Sequence, residues 1–225
     1  MKNIIWLLLL IFLSLSLSGQ RKADYGIFAG VSSYLGDINP NRLLYSPLPA
    51  GGIFYRYNFN PRQALRTNVF IGGLRANDLD FSNSFQKTRA ASFSGIVGEW
   101  ALQYEFNFRP YSTGGKRWNF TPYFAAGAGI VFINTFSLTY EPVIPFSFGV
   151  KVNVYKNLGL EAEYGFRKTF YDNFDGLNDF VAPSDFSRTH NNDWYTFTGI
   201  AVTWKIYNKL AGCPAYAKAD SQRKR

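Results

Sequence analysis

Residues 145–170 read PFSFGVKVNVYKNLGLEAEYGFRKTF, two alternating runs around the turn Lys156-Asn157-Leu158-Gly159. In the first run Phe146, Phe148, Val150, Val152 and Val154 fall on one face, and Ser147, Gly149, Lys151 and Asn153 on the other. The second sets Leu158, Leu160, Ala162, Tyr164 and Phe166 against Gly159, Glu161, Glu163, Gly165 and Arg167. Strict period-two alternation specifies β-strands, here an antiparallel hairpin. One face is almost purely aliphatic and aromatic, whereas the other carries Lys151, Glu161, Glu163 and Arg167. A sheet in water buries the first kind of face and wets the second. A membrane barrel does the reverse, with lipid outside and charge inside.

The amino terminus points to export. Met1-Lys2-Asn3 is a short basic region, Ile4 to Leu13 an apolar run, and Ser14 to Gly19 a stretch of mostly small residues. This pattern predicts a signal peptide over residues 1–19, cleaved after Gly19. The apolar run is shorter than the roughly 20 residues of a spanning helix. No cysteine follows it, which excludes lipoprotein processing. The mature chain then keeps 225 − 19 = 206 residues, with 23 basic against 15 acidic side chains. That length suits one domain, and no segment of it is a candidate transmembrane helix.

Eight strands are expected: Asp24–Leu35, Gly51–Phe59, Ala64–Arg75, Ser92–Phe108, Pro122–Phe136, the two runs of the opening hairpin, and Asp193–Tyr207. The Ala- and Gly-rich fifth run leaves its outward face open. Gly36–Ala50, Asn77–Ala91, Leu138–Pro145 and Tyr171–Asn192 read as loops, and Asn60–Gln63 and Arg109–Phe120 as turns. Alternation of short turns with long loops is the outer-membrane pattern, short connections being periplasmic. An even strand count places both termini in the periplasm. The prediction is an all-β protein: an eight-stranded antiparallel up-and-down transmembrane barrel over residues 20–207 with a filled polar interior, followed by a basic periplasmic tail, 208–225.

Alternation assigns Arg56, Arg66, Glu99, Glu105, Lys151, Glu161, Glu163, Arg167 and Lys205 to the interior, a nearly neutral set. A lipocalin-like barrel would show the inverse pattern, an apolar interior and a charged outside. Eight strands enclose a lumen that side chains fill, and charges there should pair. A passive pore is therefore not expected.

Chemistry-bearing clusters are sparse. The single histidine, His190, stands near Ser184 and Ser187 without a nucleophile motif, so no catalytic site is expected. Asp172, Asp175, Asp179 and Asp185 lack EF-hand spacing and read as solvated loop acids. No zinc cluster or phosphate loop is present, so no metal or cofactor is expected. The excess of basic residues in an exported barrel does not point to nucleic acid; outer-membrane lipid is the partner it suits. In the tail, Lys209 and Lys218 flank Cys213, the chain's one cysteine. A lone exported cysteine suggests an intermolecular disulfide, and these three residues are the candidate partner contacts.

Three segments carry a resemblance: Tyr34-Leu35-Gly36-Asp37-Ile38-Asn39, Asn60-Pro61-Arg62-Gln63-Ala64-Leu65-Arg66, and Gly165-Phe166-Arg167-Lys168-Thr169-Phe170. Together they resemble the PorG-type barrels, outer-membrane components of the type IX secretion system in Bacteroidota. The likeness departs after strand seven, where Asp172-Asn173-Phe174-Asp175-Gly176-Leu177 stands in place of an aspartate-rich D-Y-L-D-D-V. It implies a non-enzymatic subunit that contacts the periplasmic ring lipoprotein and its partner subunits, needed for secretion and, in gliding species, for motility. The alternative expectation is an adhesin-like barrel whose outer loops bind a ligand or surface. A lipid-modifying enzyme built on Ser184, Ser187 and His190 ranks third.

Overall fold

Period-two alternation runs through eight strands in the computed structural model, which describes residues 23–205 apart from 37, 40–41, 83, 116, 136–137, 156 and 171–192. They are β1 (Ala23–Leu35), β2 (Leu48–Asn60), β3 (Gln63–Asn77), β4 (Ser92–Asn107), β5 (Phe120–Asn134), β6 (Leu138–Tyr155), β7 (Leu158–Thr169) and β8 (Trp194–Lys205). Each pairs antiparallel with the next, and β8 returns to β1 to close the barrel. Closure leaves no long edge for another chain to extend. The opening hairpin is β6–β7, with Phe148 opposite Tyr164 and Lys151 opposite Glu161.

Alternation sorts the side chains radially. Ile53, Trp100 and Ile200 stand 61, 51 and 59% exposed on the outer wall, while Arg56, Arg66, Lys151 and Arg167 are at most 1% exposed. The apolar wall continues round every strand, through Ile27, Val69, Leu102, Ile130, Phe148 and Leu160. A soluble monomer rarely exposes apolar patches beyond a few hundred Å², so this surface is built for hydrocarbon. The fifth strand resolves too: Thr121, Tyr123, Ala125, Val131 and Ile133 point inward, and Phe120, Pro122, Ile130 and Phe132 outward.

Three expected loops are shorter or more ordered than the sequence suggests. Leu138–Pro145 is not a loop but the first half of β6. Its two prolines raised the expectation, since proline cannot donate to a ladder. Pro142 pairs with Ile130 on the β5 side, while β7 ends at Thr169 opposite Val143, so among the described residues its other side has no neighbour. Pro145 falls in a two-residue lapse of the β5–β6 ladder, between the pairs Ala126–Phe146 and Gly129–Val143. Strand β2 likewise begins at Leu48, inside the expected 36–50 loop.

The segment 77–91 contains a 3-10 turn, Asp78–Asp80, and a short helix α1, Ser84–Arg89. Asn77 caps the turn by accepting from the Leu79 amide at 3.0 Å. The Asp78 carboxylate then takes Arg89 Nε at 2.7 Å, Arg89 Nη2 at 2.8 Å and the Ala91 amide at 3.0 Å. Burial alone would raise its pKa, but Arg89 and the Ala91 amide outweigh it and hold the carboxyl below its usual range. A depressed carboxylate stabilises the fold above its unfolded pKa, and that stabilisation fades as pH falls through the folded value. In an NMR titration the Ala91 amide should therefore shift with a midpoint below the ordinary aspartate value of about 3.9. A midpoint at or above that value would refute the clamp.

Candidate functional site

Inside the barrel, charge is concentrated in the half nearer the termini. Arg56 lies in the turn-side half of β2, directly opposite Arg66 of β3, and such a pair survives only with carboxylates to separate it. Its Nη1 and Nη2 donate to the two oxygens of Glu161, both at 2.6 Å, and its Nε to Glu105 at 3.1 Å. Lys151 donates to the second oxygen of Glu105 and to Asn107 Oδ1 at 3.0 Å. One storey up, Arg66 spans both oxygens of Glu163, at 2.5 and 3.0 Å, and reaches Gln103 at 2.6 Å. Tyr123 adds a donor to Glu163 at 2.7 Å. Arg167 Nε donates to Glu99 at 3.1 Å, and Glu99 also accepts from Tyr195 and Asn68.

Two-pronged arginine–carboxylate bonds fix geometry as well as energy. The room for Arg167 comes from Gly165, where a Cβ would lie 1.7 Å from Nη1. The guanidinium lies 5.0 Å over the Phe197 ring, and Phe54 sits between Arg56 and Arg66 at 5.1 and 5.3 Å. These rings mark a boundary. Towards the loop end Phe28, Phe70 and Phe197 pack together, below Leu74, Val97, Val131, Ile133 and Val143, among the buried hydroxyls of Ser32, Ser33, Thr169 and Thr196. The interior is thus an ion-paired network towards the turn end and an aromatic cluster with interspersed polar groups towards the loop end.

Described residues lie across both mouths. At the loop end Tyr34 and Ile38 are buried, Tyr34 donates to Asp193 at 2.5 Å, and Gln86 of α1 donates to the Ile38 carbonyl at 2.9 Å. At the other end the 108–119 connection folds back over the lumen. Tyr111 and Thr113 are buried there, and Thr113 donates to Asp24 at 3.1 Å. Asn153 clamps that connection, accepting from the Gly114 amide at 3.2 Å and donating to the Gly115 carbonyl at 2.8 Å.

All nine interior residues named from the sequence face the lumen, but Lys205 lies at its rim, half-exposed, donating to Ser112 at 3.3 Å. Asp24 belongs with them and was missed, although its alternation with Gly26 and Phe28 was readable. It is buried opposite Lys205 and within 3.9 Å of Arg56, which brings the set to five cations and five carboxylates. Cys213, Lys209, Lys218, Ser184, Ser187, His190 and Asp172, Asp175, Asp179 and Asp185 lie outside the described residues, as do the 1–19 segment and the 208–225 tail. Among the described residues no group of His, Cys, Asp and Glu could hold a metal ion.

The segments quoted for the family resemblance hold turns and packing. Asn39 donates to the Tyr34 and Arg42 carbonyls and accepts from the Arg42 amide. Asn60 accepts from the Arg62 amide and donates to Gln63, closing the β2–β3 turn.

Residues 2–215 match the domain family DUF6089, a domain of unknown function. The chain belongs to the DUF6089 family. No curated protein matches it. Among solved structures, the DUF6089 barrel is similar to Neisserial surface protein A, with a TM-score of 0.53 and 12% identity over 82% of this chain and 97% of that one. It is also similar to the outer membrane protein OprG from Pseudomonas aeruginosa (TM-score 0.47, 10% identity, 84% of this chain, 99% of that one). Ail, the attachment invasion locus protein of Yersinia pestis, follows (TM-score 0.43, 14% identity, 81% and 97%). At such identities the likeness is one of fold: the DUF6089 chain is a closed eight-stranded barrel of the outer-membrane kind.

Proposed function

We propose that this protein is a non-enzymatic outer-membrane barrel subunit of the type IX secretion machinery, anchoring or contacting its periplasmic ring complex. The observation that carries the reading is the lumen. Buried charges are matched into ion pairs, an aromatic cluster fills the lumen beyond them, and described residues lie across both mouths. Such an interior neither conducts solutes nor offers a reactive group to a substrate, which leaves the outer surfaces, turns and tail to act. The segments resembling PorG-type barrels support the secretion role in particular. In this reading the short turns and both termini are periplasmic, the tail meets the ring lipoprotein and its partners, and Cys213 forms a disulfide with one of them.

The test is affinity purification of the tagged full-length protein from crosslinked outer membranes. Ring subunits should co-purify, and on non-reducing gels a slower species should vanish in Cys213→Ser. Recovery of the barrel alone after crosslinking would sink the scaffold reading. A slower species that persists in the variant would remove the disulfide.

A further inference from the structure

The turn end of the barrel carries a charged surface that the paired interior does not use. Among the described residues, the accessible carboxylates, Asp80 and Glu141, both lie at the loop end. Arg62, Arg109 and Arg117 are exposed at the turn end, and none of them pairs with a carboxylate among the described residues. Arg109 and Arg117 belong to the 108–119 connection, and Arg62 reaches it from the β2–β3 turn. Arg62 donates to the Phe108 carbonyl at 3.2 Å, the Arg109 guanidinium lies 4.7 Å over the Phe120 ring, and that of Arg117 lies 5.3 Å from the Trp118 ring. Phe108, Trp118 and Phe120 are themselves exposed, and Phe120 is the last outward-facing ring of β5. The guanidiniums therefore sit where the apolar wall stops.

Trp118 supplies an independent sign. Its φ is 61°, a left-handed conformation that is strained in a bulky residue. Backbone bonds hold it there: its amide donates to the Asn153 carbonyl at 2.7 Å, and the Asn153 amide to the Asn119 carbonyl at 2.9 Å. The indole itself is not packed into the core but stands 62% exposed.

We propose that Arg62, Arg109, Arg117 and Trp118 form a binding site for the headgroup of an anionic glycerophospholipid in the leaflet at the turn end. Arginine's planar fork matches phosphate oxygens two at a time. Tryptophan favours the depth of the headgroups, so the ring beside Arg117 sets that guanidinium at phosphate level. An acidic protein is the less fitting partner, since Arg109 lies against an outward ring at the wall's edge rather than over the mouth. The inference requires the barrel to sit in a bilayer but is independent of any role in secretion.

The test reconstitutes the full-length protein in nanodiscs of phosphatidylcholine and phosphatidylglycerol, then measures by mass spectrometry the lipids retained after mild detergent extraction. Phosphatidylglycerol should be enriched about fivefold over its bulk ratio, the factor that one arginine commands near an anionic surface. Enrichment should fall to unity in the triple variant Arg62→Gln, Arg109→Gln, Arg117→Gln. Trp118→Gly relieves the backbone strain, so it should melt in detergent no lower than the parent while losing enrichment. Bulk-ratio retention by the parent would overturn the site, and so would full enrichment in the triple variant.

Discussion

Replacing Arg56 with leucine should destabilise the barrel by about 3–5 kcal/mol, the usual consequence of leaving a buried charge uncompensated. Glu161 receives both of its ion-pairing bonds in this cluster from Arg56, whereas Glu105 would retain Lys151. The lost energy is therefore mainly the isolation of Glu161 in a site that excludes water. Denaturant unfolding of the barrel in lipid vesicles measures it. The double variant Arg56→Met, Glu161→Leu removes one charge of each sign and should recover most of the loss, as apolar replacements of buried pairs often do. Equal stability of Arg56→Leu and the parent would show that the lumen is hydrated enough to solvate the orphaned carboxylate, against the burial described.

Ile200→Arg should cost about 2–4 kcal/mol in a bilayer, the penalty for a cation on the lipid face at mid-depth. Ile200 is 59% exposed midway along β8, between Ala29 and Ala162 on the neighbouring strands, so no interior contact changes with it. The same substitution at Thr203, which faces the lumen, tests packing instead and makes a poor control. Insertion yield into vesicles and the unfolding midpoint there report the effect. In detergent the penalty should shrink, because an arginine can reach the micelle surface. A cost that is the same in both media would mean that the wall is not lipid-facing.

Much of the fold was legible because β alternation has a period of two and each face meets one environment. Val150 and Leu160 could be assigned to lipid, and Lys151 and Glu161 to the lumen, from spacing alone. Legibility failed where two physical effects competed. Prolines at 142 and 145 read as loop, since a proline breaks a ladder unless its missing donor falls at an unpaired position, and pairing is not written in one strand. The aromatic cluster of the lumen was hidden for a different reason. Phe28, Phe54 and Phe70 alternate in phase with polar residues; the register of β1, β2 and β3 brings them together, and closure by β8 adds Phe197.

From its residues alone, this chain is a barrel with lipid outside and nearly balanced charge inside, because alternation and charge count are local properties. Which carboxylate holds which cation was decided by the closed sheet. Arg56 and Glu161 are 105 residues apart, and only the stagger of strands round the barrel brings them within 2.6 Å. The same holds at the mouths: residues 109–119 look like an ordinary polar turn, and their folding back over Asp24 follows from contacts with β1 and β6. Partnering across a barrel depends on strand register, a property of pairs of strands that no single strand encodes.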